Sequence, residues 1–484
     1  MSELAYLSAI ELTAKLRNRE VGSEELLDHF IARIDRHDGR INAVVVRDFE
    51  RARVRAREAD AAFARGEDWG PLHGLPMTVK ESYNVEGLAT TWGLPAMAQN
   101  VAPSDALAVE RLKAAGAVVF GKTNVPVLLA DFQSYNPVYG STDNPHAEDR
   151  TPGGSSGGSA AALAAGFTGL EMGSDIGGSI RNPAHFSGVY GLKPTWGILP
   201  PRGHALPGIL TPSDISVIGP LARSAADLEL ALDICGGADA LHHPGWDLNL
   251  PRPAQTGLGD FRVAAWLDDP HIELDAGVRD LLQAAIDAAA RAGARVDDGA
   301  RPDFDTNESH RDYLRLLHGV MAARRPQEDF ERGLERVAKL DPADDSDRAV
   351  TLRAMVQHHR DWIGANERRT HLRWAWRRFF DSHDLLLCPI MPVAAFPRDE
   401  SEDMEARTVR INGKAVRYFD QLFWAGLTGV AYLPSVIAPI GQTADGLPVG
   451  LQIVAPEMGD KTAIRFAELL AKELGGFVAP NGLD

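Results

Sequence analysis

The chain has 484 residues, 44% hydrophobic and 24% charged, which is the composition of a soluble globular protein built as one very large domain or two to three ordinary ones. A formal net charge of −17 argues against nucleic acid or an anionic membrane surface as a primary partner. No apolar run approaches the roughly 18 residues of a transmembrane helix, the N-terminus does not read as a signal peptide, and Cys235 and Cys388 are too few for a disulfide framework; a cytoplasmic protein with two buried thiols is expected.

Residues 5–38 read as two amphipathic helices, with Ser23 as the expected N-cap of the second. A short strand at 43–46 and a charged, alanine-rich helix at 50–65 follow. The run Leu75 to Val79 predicts a strand that carries Lys80 at its end. A lysine is usually a surface charge. This one sits between an apolar run and a polar loop, which favours burial. A helix at 105–115 and a strand at 117–121 continue an α/β alternation. The loop-rich stretch 122–144 is long enough to serve a site.

Residues 151–195 are the unusual part. They hold two glycine-serine clusters, Gly153 to Ser159 and Gly173 to Ser179, separated by a predicted helix (159–167) and strand (169–172). A flexible linker would lack the Ala, Leu and Phe between them. A strand at 261–267 and a helix at 276–292 come next, then a charged, aromatic helical region at 303–383 that reads as a helical insertion or lid. A strand at 384–389, a hairpin at 407–417 turning on Asn412-Gly413, a strand pair at 433–441 and 446–454, and a helix at 462–474 close the chain.

Spacing excludes three common readings of glycine-rich loops. The serine-hydrolase elbow G-x-S-x-G fails because Asp175 occupies the middle position. No lysine follows either cluster as a phosphate loop requires, and no dinucleotide fingerprint is present in the first. What remains is a loop whose Ile176, Gly177, Gly178 and Ser179 amides can converge on one hollow. Ser179 would sit beside that hollow. His185, six residues on, reads as a packed or capping histidine; a lysine made neutral by burial is the other available base.

The clusters G-G-S-S-G-G-S and G-S-D-I-G-G-S-I-R-N-P-A, preceded by V-K-E at 79–81, resemble the amidase signature family. The resemblance extends to K-T-N at 122–124, G-L-K-P-T at 191–195, G-P-L-A-R-S at 219–224 and G-L-P-V-G-L-Q at 446–452, and is weakest over 303–383. It implies one large α/β domain with a central mixed sheet flanked by helices on both faces. It implies Ser179 as nucleophile, Ser155 as a second serine after a cis peptide bond, and Lys80 as base. Ile176, Gly177 and Gly178, with Ser179, would form the oxyanion hole, supported by Ser156, Ser174, Asp175 and Arg181. Ala130, Gln133 and Ser134 are candidates for substrate contact. No metal or organic cofactor is implied.

Members of this family act on different amides, so the resemblance leaves the substrate open. The apolar segment Val125 to Phe132, the C-terminal L-P-S-V-I-A-P, and the aromatics at 362–376 and 418–424 favour a monomeric or homodimeric hydrolase of small hydrophobic or aromatic amides, with carbamates (urethanes) and esters as further substrates. The alternatives are the glutaminase component of a glutamine-dependent aminoacyl-tRNA amidotransferase and a non-catalytic scaffold within a larger assembly.

Overall fold

The computed structural model describes residues 2–483. The apolar runs assemble into a main sheet and a smaller one. The main sheet has eight strands in the spatial order Arg295–Asp297, Arg262–Ala265, Leu385–Cys388, Pro448–Val454, Ser435–Gln442, Tyr190–Lys193, Val217–Ala222 and Glu171–Asp175. The first three are parallel and the later pairings antiparallel, so the sheet is mixed, as expected. Leu385–Cys388 and Pro448–Val454 are buried at every position, the pattern of strands covered on both faces. Helices Ala276–Arg291 and Asp460–Leu474 pack against the centre of this sheet.

The smaller sheet orders Val44–Arg47, Val118–Thr123 and Pro76–Lys80. It abuts the edge of the main sheet, where the Thr78 amide donates to Thr168 Oγ1 at 2.9 Å. Pro76–Lys80 is buried throughout and carries the Lys80 side chain towards Glu171–Asp175.

Several local expectations shift. The strand read at 169–172 is Glu171–Asp175 and runs into the second glycine-serine cluster. Helix Ser23–Ile41 has Gly22 at its N-cap; the Ser23 hydroxyl donates instead to the Gly74 carbonyl at 2.7 Å. Strands Tyr190–Lys193 and Val217–Ala222 lie in stretches dominated by glycine and proline, and their apolar content is too short to mark them by periodicity. The hairpin Thr408–Ile411 to Lys414–Arg417 does turn on Asn412 and Gly413, both with positive φ. Among the described residues no helix is long and apolar enough to cross a membrane.

Residues 303–383 form helices Thr306–Ala322, Gln327–Val337, Asp347–Ala354 and His359–Phe379. The first docks tightly on Leu422–Gly429: a Cβ added to Gly426 would lie 2.3 Å from Tyr313 Cδ1. Trp376 belongs to the core, whereas Trp374 is 62% exposed.

Candidate active site

The first glycine-serine cluster packs backbone against backbone on the stretch 124–133 because its residues are small. Helix Gly157–Ala164 is buried at all eight positions. A Cβ on Gly158 would lie 2.3 Å from the Asn124 nitrogen, and one on Gly154 2.4 Å from the carbonyl oxygens of Asp131 and Gln133. No side chain fits there. Asn182 then ties the clusters together. Its Nδ2 donates to Gly154 O at 2.5 Å and Gly178 O at 2.9 Å, and its Oδ1 accepts from the Gly154 amide at 3.0 Å. The Ser156 amide adds a bond to Ser179 O at 3.1 Å. The Gly154–Ser155 peptide bond is cis.

Lys80 reaches this junction from the smaller sheet. Its Nζ lies 2.7 Å from Ser155 Oγ and 2.9 Å from both Ser156 Oγ and Ser174 Oγ. Complete burial pushes its pKa well below the ordinary lysine value, against the attraction of Asp175 and Glu171. Glu171 is itself pushed up to about 8 by burial, against the hydrogen bonds of Thr78 and Ser159, so at neutral pH it is a weak counter-charge. A neutral amine has two N–H donors and one lone pair. Three hydroxyls match that inventory, two accepting and one donating.

Asp175 is built for a different task. It accepts from the amides of Gly178 at 2.8 Å, Ile180 at 3.1 Å and Arg181 at 3.3 Å. The Arg181 guanidinium holds it at two points, both 2.9 Å, with neither side chain exposed. Burial alone would raise the Asp175 pKa; Arg181 outweighs it and brings the value to about 2. Asp175 is therefore a fixed anion that shapes the loop, and proton transfer is not its role. The Gly178 amide donates to Asp175, while among the described residues the amides of Ile176, Gly177 and Ser179 make no hydrogen bond. Gly178 contributes its φ of 104° and its carbonyl, which accepts from the Asn182 amide at 2.6 Å.

The amidase family profile matches residues 25–464. The chain belongs to the amidase family. It is an amidase-signature hydrolase, an enzyme that hydrolyses amides. It is 33% identical over 508 aligned residues to the A component of the glutamyl-tRNA(Gln) amidotransferase of Anaeromyxobacter sp. (strain K), covering 99% of this chain and 98% of that one. It is 31% identical to indoleacetamide hydrolase of Bradyrhizobium diazoefficiens, covering 97% of this chain and 86% of that one. Among solved structures, 6-aminohexanoate cyclic dimer hydrolase complexed with substrate matches at TM-score 0.79 and 26% identity over 99% of each chain.

In this amidase, Ser179 opens onto a cavity of about 290 Å³ whose base also includes Ile176 and Gly177. The walls are largely apolar: Leu129, Ala130 and Phe132 on one side, Leu314, Leu317 and Met321 of helix Thr306–Ala322 on another, and Leu352, Met355, Phe419 and Leu422 beyond. Charged and polar groups line it as well, among them His310, Asp347, Asp420 and the arginines Arg325, Arg336, Arg348 and Arg417. Of the three residues expected to touch substrate, only Ala130 lines it. Gln133 exchanges two bonds with the Asp399 backbone, at 2.7 and 2.9 Å. Ser134 bonds Gly153 O at 3.0 Å and the Gly157 amide at 3.1 Å. Both support the first cluster from behind. The tryptophans at 362–376 are likewise absent from the wall; Phe419 and Leu422 supply the expected contribution from 418–424.

His185 is buried with both ring nitrogens against backbone, at Gly450 and Val393, which is the packed role expected of it. Cys235 and Cys388 are free and buried. Two residues carry roles that the sequence does not signal. Asn182 stands inside the R-N-P-A motif, which gives no hint that it ties the clusters together. Tyr313, whose hydroxyl donates to Ile176 O at 3.1 Å, comes from the helical region where the family resemblance is weakest, and nothing local marks it.

Proposed function

We propose that this amidase is a hydrolase of small hydrophobic or aromatic amides acting through Ser179, Ser155 and Lys80, with aryl carbamates and esters also accepted. What carries the substrate reading is the apolar cavity over Ser179. What supports the mechanism is a lysine depressed by burial in contact with Ser155.

In this reading Ser155 donates its hydroxyl proton to neutral Lys80 while taking the proton of Ser179. Ser179 Oγ attacks the substrate carbonyl. The free amides of Ile176, Gly177 and Ser179 receive the negative charge that develops on oxygen. Lys80 and Ser155 then return a proton to the leaving nitrogen, which departs as an amine. Water, activated by the same relay, releases the acid from the acyl-enzyme and restores Ser179.

A second reading has a specific support. The amidotransferase component shares 33% identity over almost the whole chain, and polar groups at the cavity could address a glutamine. A hydrolysis panel of nitroanilides, indoleacetamide, aryl carbamates and glutamine, run on the isolated chain, separates the two. Turnover of the apolar amides supports the stand-alone hydrolase. Glutamine turnover, alone or only with partner proteins, without apolar amide turnover overturns it.

A further inference from the structure

Outside the proton relay, the imidazoles of His271 and His310 converge on the carboxylate of Asp347. His271 Nε2 lies 3.3 Å and His310 Nε2 3.4 Å from the same oxygen, Asp347 Oδ2. One candidate ligand atom from each residue falls within 4.8 Å of the others. The three come from separate elements: the segment after strand Arg262–Ala265, helix Thr306–Ala322, and the first turn of helix Asp347–Ala354.

His271 and His310 differ at their other ring nitrogen. His271 Nδ1 faces Asn307 Oδ1 at 3.1 Å, so its proton belongs on Nδ1. Its Nε2 meets the carboxylate at 3.3 Å, either as a second N–H or across a bound cation. His310 makes fewer contacts. Its Nδ1 is buried without a partner among the described residues, so its polar contact there is with Asp347. The two His–Asp separations suit a metal ion, and the remaining ligand-atom separation lies within 4.8 Å. Tetrahedral zinc, with bonds of about 2.0–2.2 Å, sets its ligand atoms roughly 3.3–3.5 Å apart.

We propose that His271, His310 and Asp347 bind a divalent transition-metal ion of the zinc class. Two histidines and one carboxylate leave a fourth coordination position open. His310 and Asp347 line the cavity that contains Ser179, so that position is available to water or to a donor atom of a bound molecule. Asp420 borders the same cavity and is paired with Arg417 at 3.5 Å. The Asn307 contact fixes the His271 tautomer from the outer shell. The ion would pin two helices of the 303–383 region to the segment carrying His271, and so set the width of the cavity without entering the relay of Lys80 and the serines.

The test is metal binding by the untagged full chain. Equilibrium dialysis against micromolar Zn2+ or Co2+, with bound metal counted, should give one ion per chain. The cobalt form should show the strong visible absorption of a four-coordinate site. His271→Gln and Asp347→Asn should each weaken binding by about 100-fold and abolish that absorption. Either of two results overturns the proposal: no stoichiometric metal on the wild-type chain, in which case a proton alone joins the three residues, or binding that survives both substitutions. The wild-type result decides even if a variant fails to fold.

Discussion

Lys80 Nζ sits 2.7 Å from Ser155 Oγ in a fully buried setting where the Arg181 charge is already paired with Asp175. The neutral amine is the form able to accept a proton, and burial pushes the lysine pKa well down. The sign follows. Activity falls as pH drops through the folded-state pKa of Lys80, and this acid limb lies below the ordinary lysine range. The unfolded chain binds more protons than the folded one between that pKa and the ordinary value, so Lys80 makes stability rise with pH across the same window. A kcat/KM–pH profile should show the limb in wild type. Lys80→Arg, permanently charged, should lose about 100- to 10,000-fold in kcat at every pH. An active Lys80→Arg enzyme would remove Lys80 as the base.

Ser179 and Ser155 should fail differently. In the proposed mechanism Ser179→Ala removes the nucleophile, and it should lower kcat on the order of a hundred-thousandfold or more, with loss of labelling by a fluorophosphonate probe. Ser155→Ala keeps the nucleophile but breaks the proton path, and should retain slow labelling with a kcat loss of about 100- to 10,000-fold. Equal and complete loss of labelling in both variants would contradict the division of roles.

What could be read from the sequence was local. The Lys80 strand, the two glycine-serine clusters and the Asn412-Gly413 hairpin announce themselves through short apolar runs and residues with special backbone freedom. The position of Lys80 in a separate three-stranded sheet was not legible, because strand pairing is decided by contacts far apart in the chain. Which amides of the second cluster stay unpaired was not legible for a related reason. The motif displays four neighbouring amides, but which of them is free depends on the carboxylate of Asp175 folding back over the loop. Tyr313 and the cluster of His271, His310 and Asp347 depend on the packing of helices whose spacing carries no motif.

Asp175 offers a test of that loop. Asp175→Asn leaves Arg181 buried without its counter-charge, and should destabilise the protein by about 3–5 kcal/mol in urea unfolding. The asparagine can replace the acceptors for Gly178 and Ile180 only in part, so the amides of Ile176, Gly177 and Ser179 should lose their alignment and kcat should fall with little change in KM. A variant with normal kcat would mean that the loop holds its shape without the ion pair.

The cavity wall can be probed at a position that does not risk the core. Met321 lines the cavity yet is 36% exposed, so Met321→Ser should fold. Its side chain offers apolar surface only to a substrate long or broad enough to reach helix Thr306–Ala322. If the cavity selects hydrophobic or aromatic amides, kcat/KM for a nitroanilide should fall by about tenfold in this variant, because removing one apolar contact in a binding pocket costs about 1–3 kcal/mol. For a short amide such as propionamide the same ratio should hardly change. Equal losses on both substrates would place the effect on the reaction itself, and unchanged values on both would place the substrate away from this wall.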